Sequence, residues 1–234
     1  MIPESATLTG AAPAASTPVP PSTPAERAEF DQRLANELTA AATLLGAALG
    51  SPEVLAQLSY TEAEIEEGMA LHAAAQAAFN LRQQAVSTAS TKLKAREALF
   101  ETVRDDFGAY RATVQANLPA SNRTALGAGG RVPGDLQKFI TLLRSAYAAA
   151  QQAPYAETLA KRKLTAAVLT ARLTTVAELE ALDGQAKAAD KAATAATQAR
   201  DKAGATLRKW VGDFRKQAKA DLRKSPELRA VLGL

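Results

Sequence analysis

Bulky residues return at a spacing of seven through the middle of the chain. Ile65, His72, Phe79, Val86, Leu93, Phe100, Phe107 and Val114 form one line. Three residues after each lie Gly68, Ala75, Arg82, Ala89, Arg96, Val103, Tyr110 and Asn117, mostly small or apolar in the first half. One bulky and one small position per heptad is the pattern of a long helix lying along a partner, as in a coiled coil. Thr61 to Leu118 contains no proline and two glycines, Gly68 and Gly108. The pattern therefore predicts one unbroken helix there, roughly 85 Å long at 1.5 Å per residue.

The flanking segments carry helix start and stop signals. Thr23-Pro24-Ala25-Glu26 and Thr61-Glu62-Ala63-Glu64 both offer a hydroxyl cap with glutamate three residues on, the reciprocal capping box. Between them Phe30, Leu34, Leu38, Leu45 and Leu49 stripe a first helix. Gly50 is expected to close it in a left-handed conformation, and Ser51-Pro52 prevents continuation. Glu62, Glu64, Glu66 and Glu67 suit the positive end of the long helix. They lack the spacing of a di-metal bundle. Pro119 ends the helix, and residues 119–134 form a glycine-rich linker with Gly127, Gly129, Gly130 and Gly134. The linker reads as a hinge and not a phosphate cradle: no Gly-Lys-Ser/Thr ending follows, and Asp135 would repel an anion. A third helix begins near Asp135 on Leu136, Phe139, Ile140, Leu143 and Tyr147 and is interrupted at Pro154. A second long helix runs from the cap Thr165 to about Lys224, before Ser225-Pro226.

Shifted by 104 residues without gaps, the chain matches itself. Arg104, Phe107, Gly108, Tyr110, Arg111 and Leu118 fall on Arg208, Val211, Gly212, Phe214, Arg215 and Leu222, and Thr61 falls on Thr165. A glycine inside both long helices, flanked by aromatic residues and arginine, marks two copies of one unit: short helix, link, threonine cap, long helix. Gly108 and Gly212 are expected to sit at a close backbone approach or a bend. The copies differ in bulk. The middle of the first carries Phe79, Val86, Leu93 and Phe100, whereas the middle of the second is nearly all small: Ala186, Ala188, Ala189, Ala192, Ala193, Ala195, Ala196, Ala199 and Ala203. Large against small lets two helices interdigitate. The 15 residues from Ala120 to Gly134 reach about 50 Å, which suits an antiparallel pair better than a parallel one. The predicted fold is all-α: an elongated antiparallel helical bundle of two pseudo-symmetric units, 24–118 and 135–234, in one domain.

Composition narrows the chemistry. Aromatics are 5% of the chain, cysteine is absent and the formal net charge is +4. No disulfide or thiolate chemistry is open to it. Residues 1–23, rich in Ala, Pro, Ser and Thr, are expected to be a disordered tail, with Pro18-Val19-Pro20-Pro21 formally a PxxP ligand. Neither a signal peptide nor a membrane span is read, so the expected compartment is the cytoplasm. The lone histidine, His72, lies on the helix seam with no nucleophile or orienting acid placed beside it by any motif. The sequence predicts no enzyme, no catalytic residue, no cofactor, no metal site and no small-molecule substrate.

One feature invites a partner. Arg208, Lys209, Arg215, Lys216, Lys219, Arg223 and Lys224, followed by Arg229, crowd the end of the second long helix around Trp210. Such a set could face the phosphates of nucleic acid or an anionic membrane surface. The plainer reading is that cations complement the helix C-terminus. Asp201, Asp213, Asp221 and Glu227 dilute the set, and Trp210 is expected to plug the bundle end.

Leu207, Trp210 and Phe214, then Ser225-Pro226-Glu227-Leu228 and the closing Leu232-Gly233-Leu234, resemble the ending of a widespread group of uncharacterised bacterial all-helical bundle proteins. The resemblance spans roughly residues 30–234 and implies a bacterial, helical protein with no activity to carry over. The function expected is a non-enzymatic structural or protein-interaction bundle, with self-association through exposed seams. The alternative is a binder of an anionic partner through the basic C-terminal end.

Overall fold

The computed structural model describes residues 24–234, so the expected tail and the cap at Thr23 lie outside the described residues. Every regular element among the described residues is a helix. In chain order these are α1 (Pro24–Leu49), α2 (Pro52–Leu55), α3 (Glu62–Asn117), α4 (Ala120–Arg123), α5 (Leu136–Ala150), α6 (Tyr155–Ala160), α7 (Ala166–Asp221) and α8 (Pro226–Val231). The two long helices, α3 and α7, have 56 residues each. Their bounds stand at the same 104-residue offset as the sequence repeat.

The capping chemistry expected at Thr61 and Thr165 is present, and Asp135 adds a cap of its own. The Thr61 backbone N–H and hydroxyl both donate to Glu64 Oε2, at 2.7 and 2.8 Å, and Glu64 N–H donates back to Thr61 Oγ at 3.3 Å. These bonds hold the Glu64 carboxyl below its ordinary pKa. Thr165 Oγ accepts from Val168 N–H, and Asp135 Oδ1 accepts from Lys138 N–H. Gly50 departs from expectation. Among the described residues the glycines at positive φ are Gly127 and Gly233. Gly50 N–H continues the helical pattern by donating to Gly46 O at 2.9 Å. A left-handed helix ending without glycine occurs at Lys163, φ 65°. There Leu164 N–H reaches Leu159 O and Lys163 N–H reaches Ala160 O, a Schellman closure.

The chain divides into two compact units. One joins the described residues up to His72 to Arg208–Leu234; the other is Ala73–Leu207. In the first, the start of α3 runs antiparallel to the end of α7: Ser59 meets Asp221, and Gly68 meets Trp210. Its core is Leu38, Leu45, Ala48, Val54, Ile65, Phe214, Ala218 and Leu222, all nearly or fully buried. Burying an aliphatic or aromatic side chain is worth about 1.5–3 kcal/mol, so α1 is held by its 3–4 spaced leucine stripe.

In the second unit Lys92, Arg96 and Asp106 of α3 meet Gln185, Asp183 and Arg172 of α7, again antiparallel. Its core joins Phe107, Tyr110 and Val114 of α3, Phe139, Ile140, Leu143 and Tyr147 of α5, and Leu169, Val176 and Leu179 of α7. The rings of Phe107, Tyr110, Phe139 and Tyr147 meet at centroid distances of 5.0–6.2 Å, mostly edge to face. Such pairs add about 0.5–1.5 kcal/mol each beyond burial.

The segment after α3 is fastened, not hinged. Leu126 and Ala128 are buried. The Tyr110 hydroxyl lies 3.2 Å from both Leu126 O and Ala146 O, so its one proton is shared between linker and α5. Arg111 Nη2 donates to Gly130 O at 2.6 Å, and Gln115 Nε2 donates to Ala128 O at 2.9 Å. Burial raises the pKa of both Tyr110 and Tyr147, the latter to about 12, which keeps the Tyr110 hydroxyl protonated as the donor of these bonds.

Two expectations about packing change. From Asn80 to Thr102 no α3 residue is fully buried. The half-buried line there is Arg82, Ala85, Ala89, Lys92 and Arg96. Val86 and Leu93 lie one step round the helix, 39% and 42% exposed. Small residues on the inner line bring the helices together, and the long polar heads of Lys92 and Arg96 bind across to α7. The bulky line is thus buried at its ends, at Ile65, Phe107 and Val114, and opens in the middle.

Gly108 and Gly212 are the second correction. A Cβ added at either would meet nothing within 4 Å, so neither marks a close approach. Glycine inside a helix costs about 1 kcal/mol relative to alanine. Gly108→Ala and Gly212→Ala should each stabilise the protein by up to about 1 kcal/mol, read as a higher denaturation midpoint. A lower midpoint for either would show a backbone constraint at that position.

Candidate anionic-partner surface

The last five turns of α7 have two faces. Leu207, Val211, Phe214 and Ala218 are buried at 3–4 spacing, and Leu222 just beyond the helix continues the line. A helix that buries one stripe presents the opposite one to solvent. Lys209, Lys216 and Lys219 lie toward that stripe and Arg208 and Arg215 on its flank; all five are exposed, as are Arg223 and Lys224 in the turn that follows. All seven expected cations are thus exposed along the last turns of α7 and the turn that follows, spread over about half of the helix circumference at 100° per residue. Arg229, in α8, is half-buried.

Their pairing is uneven. Arg208 Nε lies 3.6 Å from Glu37 Oε2 of α1, so this residue also ties α1 to α7. Lys209 and Lys216 share Asp213, at 3.3 and 3.9 Å, and each is 83% exposed. Exposed pairs of this kind are worth less than about 1 kcal/mol and are screened by salt. Asp213 therefore dilutes the field without cancelling it. Asp221, counted from the sequence among the diluting acids, is spent elsewhere. Burial pushes its carboxyl pKa up, but bonds from the Ser59 N–H and hydroxyl and from Gln217 more than offset this and leave it lowered.

Trp210 does plug the first unit. Its ring stacks on Phe214 at 5.4 Å, and Tyr60 meets both rings edge-on at 5.8 and 5.1 Å. The indole rests directly on Gly68, leaving no room for a Cβ. At the offset of the repeat, Gly68 and Trp210 correspond to Arg172 and Asp106. In the second unit those two form an ion pair at 3.7 Å, with the Arg172 guanidinium 5.9 Å from the Tyr147 ring centre. One crossing thus has two solutions, a tryptophan over a glycine or an arginine against an aspartate. Neither residue of the first pair was readable as the other's partner before the antiparallel register was known.

The repeat also supplies an internal comparison for the basic face. Arg208, Gly212 and Arg215 have Arg104, Gly108 and Arg111 at the equivalent places. Lys209, Lys216, Lys219, Arg223 and Lys224 have Asp105, Ala112, Gln115, Pro119 and Ala120. The last turn of α3 carries no basic residue, yet α3 is as long as α7. At that end one cation, Arg123 just beyond the helix, donates to Gln115 O and Leu118 O; complementing the dipole takes one side chain there, against five additional cations at the end of α7.

No other constellation competes. Among the described residues no group of three or more His, Cys, Asp or Glu is placed to hold a metal ion. No described helix is long and apolar enough to cross a membrane. His72 is half-buried on the α3 seam. The most buried charged groups, Asp183 and Arg200, sit in the middle of α7, where Asp183 is held by Lys187, Gln137 and Arg96. No protein-family model, curated protein or solved structure matches the chain.

Proposed function

We propose that this chain is a non-enzymatic helical bundle that works by binding, to other proteins or to copies of itself. The observation that supports this reading is the apolar line of α3 in the second unit. Phe100, Phe107 and Val114 are covered in part or whole, whereas Leu93 and Val86 on the same line, with Leu81 on the other flank, are exposed at 42%, 39% and 57%. Isolated apolar residues at a surface are ordinary. Two in heptad register continuing a packed seam are what a helix from a second molecule would extend. Sedimentation equilibrium across a concentration series tests the self-association form. The wild type should associate, and Val86→Lys with Leu93→Lys should yield a monomer of unchanged helicity. A monomeric wild type at about 100 µM, the weak end for a specific interface by affinity arithmetic, would overturn self-association.

A second reading, binding of nucleic acid or an anionic membrane surface, is favoured by the asymmetry between the two copies. Five cations appear on the α7 end that the shared fold does not require. The residues that carry this reading are those without counterparts, since Arg208 and Arg215 recur as Arg104 and Arg111.

A further inference from the structure

The basic face can be assigned a partner by what surrounds it, an assignment that rests on the second reading above. We propose that the solvent face formed by Lys209, Lys216, Lys219 and Arg223, with Arg215 and Lys224 beside them, takes the phosphate backbone of duplex nucleic acid without reading its sequence.

Three anionic surfaces have different requirements. A helix that lies in a bilayer interface needs an apolar side, bearing Trp, Phe or Leu, that can enter the acyl boundary; charge alone gives only about 1 kcal/mol per Lys or Arg at an anionic leaflet. The apolar side of α7 is spent: Leu207, Val211, Phe214 and Ala218 are buried. Unpaired strands are held by aromatic rings on which successive bases stack. The aromatics of this end, Trp210, Phe214 and Tyr60, are packed against one another, and Trp210 lies on Gly68. What remains on the surface is mostly cationic heads, with Asp213, Gln217 and Ala220 among them. A duplex backbone asks for little else, because its affinity comes from counterion release as lysine and arginine neutralise phosphates.

The spacing also suits a duplex. Lys209 and Lys216 are seven residues apart, roughly 10 Å along the helix, and the array to Arg223 covers roughly 20 Å. At 3.4 Å per base pair that length spans about six base pairs. No exposed side chain inside the array is an apolar wedge, and the carboxylate among them, Asp213, is already shared by two lysines. The array thus has the charge to hold a backbone, with no wedge and no stacking ring.

Fluorescence anisotropy on the full chain tests this, with a labelled 20-base-pair duplex, a single strand of the same length, and phosphatidylserine-containing vesicles. At 50 mM salt the duplex should bind more tightly than the single strand, with no preference between unrelated sequences. The slope of log affinity against log salt should be about −3 to −5, matching four to six neutralised phosphates. Lys209→Gln, Lys216→Gln, Lys219→Gln and Arg223→Gln combined should weaken duplex binding at least tenfold and flatten that slope. The thermal melt should be unchanged, since the other copy folds without these cations. Unchanged duplex affinity in the quadruple variant, or tighter binding of the single strand, would overturn the proposal. Vesicle binding without duplex binding would overturn it too while leaving an anionic partner in place; binding to none of the three at 50 mM salt would end both.

Discussion

Gly68→Ala should destabilise the protein, against the usual gain from removing a helical glycine. A Cβ built at Gly68 stands 2.6 and 2.8 Å from Cζ3 and Cζ2 of Trp210, and closer still to Cη2. The indole cannot yield locally, because it stacks on Phe214 and is abutted by Tyr60. Forcing a methyl into a filled contact costs about 1–3 kcal/mol, while helix propensity returns about 1 kcal/mol. The net loss of up to about 2 kcal/mol should lower the melting temperature by several degrees, at about 2–4 °C per kcal/mol for a chain of this size. A change in the near-ultraviolet signal of the protein's one tryptophan should accompany it. In a Trp210→Ala background the sign should reverse, because the methyl then enters the space the ring has left. Gly68→Ala raising the melting temperature of the wild type would show that Trp210 does not lie on Gly68.

Asp183→Ala should cost about 2–3 kcal/mol. Asp183 is 2% exposed. Its carboxylate meets Lys187 Nζ at 2.6 Å, Gln137 Nε2 at 3.2 Å and Arg96 Nη1 at 3.5 Å. Removing one member of a buried charged cluster leaves the others desolvated and unpaired, worth several kcal/mol when fully buried. Lys187 is 63% exposed and can turn to water, so the loss falls mainly on Arg96 and Gln137. Replacing the inward pair together, Arg96→Met with Asp183→Leu, should recover much of it. Burial pushes the Asp183 pKa up, but the bond and charge of Lys187, the Gln137 bond and the Arg96 charge outweigh burial and leave it below the ordinary 3.8. A carboxyl with a lowered folded pKa stabilises above its unfolded value and loses that contribution as pH falls through the folded one. The stability gap between wild type and Asp183→Asn should therefore be constant from neutral pH to about pH 5 and shrink below about pH 4. A gap that widened in acid would refute the assignment.

The seven-residue line, the two threonine caps and the repeat were legible because each is a local or periodic signal. The antiparallel direction followed from linker reach, and Lys92 beside Gln185 agrees with it. The rotation of the seam was not legible. Val86 and Leu93 look like core by their spacing, but Ala85, Ala89 and the neck of Lys92 offer the closer approach, and that choice depends on the partner's residues. Gly108 and Gly212 misled because a repeated glycine suggests a contact, whereas Gly68, which makes one, has arginine at its repeat position. The linker looked mobile from its glycines. What fastens it, the Tyr110 hydroxyl and the Arg111 and Gln115 side chains, belongs to a helix that reads as an ordinary surface and core pattern. The basic residues were all visible. Their significance came from laying one copy over the other, with the roles of Arg111 and Gln115 in hand.

One unit draws on both ends of the chain, the other on the uninterrupted stretch Ala73–Leu207. During synthesis the uninterrupted stretch is available as soon as residue 207 clears the ribosome. The other must wait for residues 208–234, with Leu38, Leu45 and Ile65 lacking the core partners Phe214 and Leu222 until then. A product cut short after residue 207 would keep one unit and leave the other's apolar stripes bare, a ready target for proteolytic clearance.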